Sequence, residues 1–348
     1  MNAPPLPGNA RPAPEGEAPA PRNPFLLPDH KFSDGAPPLN CAHAEPCPLG
    51  CHVEVGRFRE CFTAFQEAVR DLGALQESGL LVAVGGPSKC GKTSLVNRCA
   101  AWAKRELGGM CFDDAPVRAV IVNLTHAGGR QGAEDLTAKV ATRIVLEVNA
   151  QASGLLRSDV TEYRPASPLG GDQPPDLDDL MVHLTNTMAR GTVLILLAPP
   201  ADDVRVLDPY WDATCRKAIW LVESTDRQLE DRWRKKWTPA GGARSCYLDM
   251  GGLRRGDIEK FVVARAGAFV QGDAPPGDGR NHPRLHQDAL ETLTALYGET
   301  PMVQIGAIQK LLYGVYAYYL QKGRGADTII TGADILSYVR RLAEGGEG

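Results

Sequence analysis

The residues best suited to chemistry in this 348-residue chain lie in one stretch that fits the pattern Gly-x4-Gly-Lys-[Ser/Thr]. Glycines let successive backbone N–H groups curl around an anion, and a helix that begins at the lysine points its positive end at that anion. In this pattern the lysine reaches the β- and γ-phosphates of a nucleotide, while the threonine hydroxyl binds Mg²⁺. The stretch and the residue after it are Gly86, Pro87, Ser88, Lys89, Cys90, Gly91, Lys92, Thr93 and Ser94.

These nine residues predict a binding site for a nucleoside triphosphate, with ATP and Mg²⁺ as the cofactors and Thr93 as the metal ligand. A glycine-rich turn can match the pattern by chance, so its surroundings decide the interpretation. An apolar run at 80–84 precedes the pattern, and an amphipathic stretch at 94–106 follows it. This order of strand, loop and helix is the one that a phosphate-binding loop requires, and it favours the nucleotide site.

Further elements alternate along the chain and would position this loop. Helical patterns lie at 133–150 and 177–189, and an insertion rich in Pro, Gly and Asp at 154–175 is expected to be exposed. Short apolar strands that alternate with helices are typical of a parallel sheet covered on both faces. The sequence therefore predicts an α/β fold, a P-loop NTPase three-layer parallel sheet flanked by helices. The other predicted strands lie at 117–123, 192–197, 218–222 and 245–249.

The C-terminal part of the chain changes to a purely helical periodicity, which predicts an all-helical lid domain. Its helical patterns lie at 257–266, 287–297, 302–322 and 332–343. The domain organisation that we predict is a Pro-rich, disordered tail at 1–51, a nucleotide-binding domain at 52–252 and a helical lid at 253–348.

A hydrolysing enzyme with this loop also needs an acid at the end of a neighbouring strand, to hold Mg²⁺ through water and to activate the attacking water. The predicted strand at 192–197 ends in Ala198-Pro199-Pro200 and supplies no acid. Asp202 and Asp203 follow closely, and a Pro-Pro turn could fold them back to the site. A solvated acidic loop is the alternative interpretation of these two residues.

Three other residues are candidates for catalysis. Ser224 and Thr225 follow the strand at 218–222, where they could contact the γ-phosphate or the attacking water, or could cap the next helix. Arg232 begins a basic run that could reach the nucleotide of a neighbouring subunit as an arginine finger. A solvated helical face is the alternative for that run.

With these residues in place, the sequence resembles AAA+ and STAND-type P-loop ATPases, the group that includes origin-recognition-like and signal-transducing ATPases. The resemblance covers residues 52–343 and implies ATP binding between sheet and lid, nucleotide-controlled self-association, and action as a switch or a motor. The absence of an acid at Ala198, and Met302 in place of an arginine after Pro301, favour slow hydrolysis. Besides the phosphate loop and the strand order, the resemblance to these ATPases rests on segments 223–225, 253–261, 298–301 and 330–336.

A GTPase is a competing interpretation. Asp249-Met250-Gly251-Gly252 fits the form Asp-x-x-Gly, but it lies far downstream of Lys92. No Asn-Lys-x-Asp motif for reading guanine occurs in the sequence. Adenine is therefore the expected base.

Composition excludes several classes of protein. A net charge of -4 and a pI near 6.0 provide no overall basic field for nucleic acid. The N-terminal region lacks the apolar segment of a secretory signal, and no run of 18 or more apolar residues occurs, so a cytoplasmic protein with reduced thiols is expected.

Because a Pro-rich segment buries little apolar area, deletion of residues 1–40 is expected to leave stability unchanged.

A cluster of cysteine and histidine lies just before the predicted domain. Thiolate and imidazole are zinc ligands, but the spacing Cys-x5-Cys-x3-Cys matches no zinc motif, and a turn-rich segment with incidental cysteines is the favoured interpretation. Cys90 in the phosphate loop is interpreted as a small filler residue. The clustered residues are Cys41, His43, Cys47, Cys51 and His52.

Three functions are consistent with these observations. The first is an ATP-binding regulatory switch with slow or no hydrolysis, whose nucleotide state controls self-association or a protein effector. The second is an active AAA+ motor or loader, and the third is a scaffold that ATP stabilises. The sequence ends soon after the lid pattern, so a dedicated DNA-binding module is not expected, and neither nucleic acid nor a membrane is an expected partner.

Overall fold

The computed structural model describes residues 23–25, 53–127, 133–151, 154–164, 176–201, 203–226, 228–236, 244–271, 282–298 and 305–345. The helices are α1 (Phe58–Val69), α2 (Leu72–Ser78), α3 (Lys92–Gly108), α4 (Ala133–Ala150), α5 (Leu177–Thr187), α6 (Asp208–Asp212), α7 (Leu229–Lys236), α8 (Asp257–Ala266), α9 (Gln287–Tyr297), α10 (Ile305–Gln321) and α11 (Gly332–Ala343). The strands are β1 (Leu80–Gly85), β2 (Cys111–Phe112), β3 (Ala115–Pro116), β4 (Arg118–Asn123), β5 (Thr192–Leu197), β6 (Ala218–Ser224), β7 (Arg244–Asp249), β8 (Arg284–Leu285) and β9 (Ile329–Ile330).

The central feature is a five-stranded sheet in the order β4-β5-β6-β1-β7, in which every adjacent pair is parallel. Strand β1, which leads into the phosphate loop, lies between β6 and β7. Strands β1, β5 and β6 are almost entirely buried, which explains why they appear in the sequence as continuous apolar runs. The predicted α/β P-loop NTPase sheet is confirmed.

Successive side chains of each strand enter different cores, because side chains alternate between the two faces of a sheet. One core, called here the α3 face, contains residues of α1, α2 and α3. The other, called here the α4 face, contains residues of α4, α5, α6 and α7. Helices therefore cover both faces, and the sheet is the middle of three layers.

The helical region after β7 has a core of its own, formed by α8, α9, α10 and α11. Within it, the amide of Gly332 donates to Oδ1 of Asp288 at 3.1 Å, and Tyr319 Oη donates to Asp334 at 2.6 Å. The region is not entirely helical as predicted, because β8 and β9 pair in parallel beside the helices. Two-residue strands are too short to show a periodicity in a sequence.

In the part of the predicted exposed insertion that the structure describes, residues 154–164, most residues are exposed but three are packed into the protein. Leu155, Leu156 and Tyr163 are all buried in the core of the α4 face. Asn149 at the end of α4 holds this segment, since its side chain accepts from the amide of Tyr163 at 2.7 Å and donates to its carbonyl at 3.0 Å. Residues 165–175 lie outside the described part of the chain.

Two residues of the predicted tail contact the helical region. The ring of Phe25 is 1% exposed and lies 5.3 Å from the ring of Tyr316 and 6.1 Å from that of Phe261, measured between centroids. The side chain of Asn23 donates to the carbonyl of Tyr313 at 2.8 Å. This anchor was not predictable from the local sequence, because its contacts lie more than 230 residues away along the chain.

Two further sequence predictions concern a metal site and a membrane span. The cluster Cys41, His43, Cys47, Cys51 and His52 falls outside the described residues, so its metal interpretation stays a prediction. Among the residues that are described, no helix combines the length and the apolar character that crossing a membrane requires.

The buried ring of Phe25 leads to a prediction about stability. Phe25→Ala should lower the free energy of unfolding by about 3–5 kcal/mol, the usual cost of removing a core phenylalanine. Urea denaturation measures this loss. Deletion of residues 1–40 should now also destabilise, contrary to the expectation from composition, whereas deletion of residues 1–22 retains the anchor and serves as the control. An unchanged urea midpoint for Phe25→Ala would show that the ring contributes nothing to the core.

Candidate functional site

The phosphate loop joins β1 to α3 through backbone conformations that favour glycine at two positions. Gly86 has φ 143° and Gly91 has φ 101°, both in the region that L-residues rarely adopt. A Cβ atom on Gly86 would lie 3.1 Å from Sγ of Cys90 and 3.1 Å from Cβ of Met250. The loop is therefore a close-packed turn that leads directly into the N-terminus of α3 at Lys92.

Lys92 is buried and its ammonium group lies at the loop. Its Nζ donates to the carbonyl of Gly86 at 2.9 Å and to the carbonyl of Pro87 at 2.7 Å. The cation is thus held within the turn, next to the positive end of the α3 dipole. Both charges favour an anion at this position, which fits the phosphates of a nucleotide.

Thr93 has a carboxylate partner that the sequence analysis did not assign to the site. Its hydroxyl Oγ1 lies 2.9 Å from Oε1 and 2.8 Å from Oε2 of Glu223. Glu223 stands on β6, directly beside β1, where it pairs with Val84 in the register of the sheet. The residue predicted to bind Mg²⁺ therefore lies against a negatively charged oxygen pair.

Burial raises the pKa of the Glu223 carboxyl above its ordinary value, although the bond from Thr93 and the Lys92 ammonium counteract part of that rise. Burial also raises the pKa of the Cys90 thiol in the loop, which agrees with the filler role that the sequence suggested. Carboxylate and hydroxyl oxygens are the ligand types that Mg²⁺ prefers. A divalent cation at this point would stabilise the charged form of Glu223.

The alternation of β6 explains why Glu223, and not Ser224, reaches the loop. Ile219 and Leu221 lie in the core of the α3 face, so Glu223 continues the same side of the strand. Ser224 belongs to the opposite side and is 2% exposed. Its Oγ accepts from the amide of Asp226 at 3.1 Å, a local turn that precedes the start of α7 at Leu229.

The sequence places no acid at the end of β5, and the structure adds a physical reason for this absence. Leu197, on the side that faces α3, is fully buried, and Ala198 lies in the core of the α4 face. An acid at residue 198 would thus point away from α3. The Pro199-Pro200 turn then brings the chain back beside β6, since the amide of Ala201 donates to the carbonyl of Glu223 at 2.9 Å.

The remaining predicted catalytic residues stay predictions. Asp202 lies outside the described residues, while Asp203 directly precedes a 3-10 turn at Val204–Leu207. Thr225 is exposed after the end of β6. Arg232 lies within α7, but its side chain is outside the part of the chain that the structure describes.

On the other side of β1, Asp249 ends β7 and is engaged by a different partner. Its carboxylate accepts from Nη1 of Arg57 at 2.5 Å and from the amide of Gly251 at 3.0 Å. An Asp-x-x-Gly motif of a GTPase would have to serve the magnesium side of the loop. Here Thr93 contacts Glu223 instead, so the geometry does not favour the GTPase interpretation.

The helical region touches the phosphate loop and is tied to the segment that precedes α1. The amide of Gly306, at the start of α10, donates to the carbonyl of Lys89 at 3.3 Å. Oδ2 of Asp257, at the start of α8, accepts from the amide of Gly56 at 2.8 Å. A nucleotide on the loop would therefore lie within reach of both the sheet and the helical region, as the sequence resemblance implies.

No family model and no curated protein matches the chain. The ORC2 protein of Aeropyrum pernix, solved as ADPNP-ADP complexes, is 12% identical, with a TM-score of 0.48 over 84% of this chain and 69% of that one. CDC6P of Pyrobaculum aerophilum is 13% identical, with a TM-score of 0.44 over 80% of this chain and 65% of that one. The Aeropyrum pernix ORC1 protein in complex with DNA is 15% identical, with a TM-score of 0.46 over 85% and 67%.

These matches span about two thirds of the length of the three proteins. The fold assignment itself rests on the strand order and the phosphate loop of this chain. The chain has the fold of a P-loop NTPase, and the solved structures similar to it include origin-recognition and Cdc6 proteins.

Proposed function

We propose that this protein is an ATP-binding regulatory switch of the AAA+/STAND kind, with slow or no intrinsic hydrolysis. The observation that carries the proposal is the arrangement of the loop, in which Lys92, the N-terminus of α3 and the pair Thr93–Glu223 surround one point at the end of β1. Cation, helix dipole and a hydroxyl–carboxylate pair are the groups that phosphates and Mg²⁺ require.

The residues present fit the proposed ligand. The backbone of Gly86 to Gly91 forms the cradle, Lys92 offsets phosphate charge, and Thr93 would ligate the metal. Bound Mg²⁺ would neutralise charge on the β- and γ-phosphates. This chain's own part is to bind and orient the triphosphate between β1 and α10.

The switch element in this proposal is the contact between the helical region and the loop. Gly306 on α10 bonds to the backbone of Lys89, so the loop conformation and the position of α10 are linked. A ligand can shift such an equilibrium only if it binds one arrangement more tightly than the other. In this proposal, phosphates on the loop would bind the arrangement in which α10 contacts Lys89 with a different affinity from the arrangement in which it does not.

Slow hydrolysis follows from the residues at the end of β5. Leu197 and Ala198 are apolar and buried, so this strand offers no general base to an attacking water. A positioned general base contributes about 10²–10⁴-fold to a rate. Binding should therefore survive better than turnover, unless Asp202 or Asp203, or a partner protein, supplies the missing group.

Self-association or a protein effector is the partner that we propose. An arginine finger from Arg232 of a neighbouring subunit would couple assembly to turnover. A motor or loader, and a scaffold stabilised by ATP, remain the competing functions. Nucleic acid stays outside the proposal because the net charge of -4 provides no overall attraction for it.

Lys92→Ala should weaken ATP binding at least about 100-fold, because it removes the ammonium from a pre-formed anion site. Isothermal titration with ATPγS and Mg²⁺ measures the loss. Lys104→Ala is the matched control, since Lys104 is an exposed cation further along the same helix. Equal affinity of the wild type and Lys92→Ala would contradict the assignment of the loop.

The isolated chain should turn over ATP well below about 1 s⁻¹, the lower end of the ordinary enzyme range. Phosphate release measures this rate, with Lys92→Ala as the background. Brisk turnover that is lost in Asp203→Asn would instead support the motor and place an acid from the Pro-Pro turn in the site.

ATPγS with Mg²⁺ should change the oligomeric state of the wild-type chain if the protein is a switch. Light scattering after gel filtration, with and without the nucleotide, measures the mass. The same mass in both conditions, together with a large nucleotide-dependent rise in thermal midpoint, would favour the scaffold.

A further inference from the structure

We propose that Glu223 is the acid of the magnesium site and acts through Thr93, in place of the carboxylate that β5 lacks. The inference rests on the proposed ATP site and names the residue that would make ATP binding depend on the metal. Glu223 is a positioning residue in this proposal, since it touches the hydroxyl that would bind the metal.

The first support is the geometry of the contact. Both carboxylate oxygens of Glu223 lie within 2.9 Å of Oγ1 of Thr93, so the hydroxyl proton has an acceptor on either oxygen. A hydroxyl has one proton and two lone pairs. When its proton points at Glu223, its lone pairs point away from the carboxylate and are available to a cation.

The second support is the position of β6 in the sheet. It lies directly next to β1, whereas β5 lies one strand further away. A side chain on β6 therefore needs less length to reach the loop than one on β5. Glutamate at residue 223, on the side of the strand that faces α3, meets this requirement, as its bond to Thr93 shows.

The third support comes from the other carboxylate that ends a strand beside β1. Asp249 on β7 is paired with Arg57 at 2.5 Å and Gly251 at 3.0 Å, so its charge is already offset by a cation and an amide. The two oxygens of Glu223 are bonded to a neutral hydroxyl. The Lys92 ammonium acts on Glu223 through its charge but bonds to the carbonyls of Gly86 and Pro87. A divalent cation held by Thr93 would therefore add the close cationic partner that Asp249 already has in Arg57.

The test is the Mg²⁺ dependence of nucleotide binding, expressed as the ratio of the ATPγS dissociation constants in EDTA and in Mg²⁺. Glu223→Gln keeps the shape of the side chain but removes its charge, so the ratio should fall at least about tenfold. The affinity in EDTA should stay the same or increase, because a negative charge near the phosphates is removed. Mn²⁺ binding to the ATPγS complex, followed by electron paramagnetic resonance, should weaken in parallel.

Thr93 provides a second route to the same conclusion. Thr93→Ala should lower the ratio like Glu223→Gln, and the double variant should show no further loss, because the two residues act through one contact. Thr93→Ser retains the hydroxyl and should retain the ratio. Asp249→Asn is the matched control, since it removes the carboxylate on the opposite side of β1 and should leave the ratio unchanged.

The outcomes separate this inference from the proposed function. A wild-type chain that binds no ATPγS in either condition would overturn both. A wild-type chain whose affinity is the same in EDTA and Mg²⁺, or a Glu223→Gln variant that keeps the full ratio, would overturn only the role of Glu223. If Glu223→Gln does not fold, as judged by circular dichroism, additive losses in Thr93→Ala combined with Glu223→Asp would overturn it instead.

Discussion

A strand that is buried on both faces can carry polar chemistry only at its ends, and this constraint shapes the whole molecule. Strand β1 is buried from Leu80 to Gly85 and has a parallel neighbour on each side. Because parallel strands end at the same edge, the loop after β1 meets the ends of β6 and β7 there. Glu223 and Asp249 lie at that edge, one on each side of the phosphate loop.

The two carboxylates have separate electrostatic environments. Asp249 is tied to Arg57, and Arg57 also contacts Glu60, which in turn holds Arg254 ahead of α8. This network of exposed and half-exposed charges joins the sheet and α1 to the segment before α8, although each pair alone contributes little to stability. Glu223 instead faces α3 and the loop. The two acids therefore lie on opposite sides of β1, one paired with Arg57 and the other with Thr93.

Much of the fold was predictable from periodicity. The patterns at 133–150, 257–266, 287–297 and 332–343 match α4, α8, α9 and α11, because each helix is long enough for an apolar stripe to repeat. The hairpin of β2 and β3, and the pair β8–β9, were not predictable, since two residues carry no period. Phe25 was missed because composition describes a segment's average, whereas one buried ring depends on a distant surface.

The candidate site was predictable where the signal is local and not where it depends on side-chain direction. The loop is a contiguous motif, so its residues could be named. Which residue at the end of β6 faces α3 depends on the alternation of the strand, and Ile219 and Leu221 reveal it only when their core is known. Alternation also makes this site sensitive to the length of the strand that carries Glu223. Insertion or deletion of a single residue within β6 would exchange the faces of Glu223 and Ser224, so the strand's length should be under stronger evolutionary constraint than most of its apolar side chains.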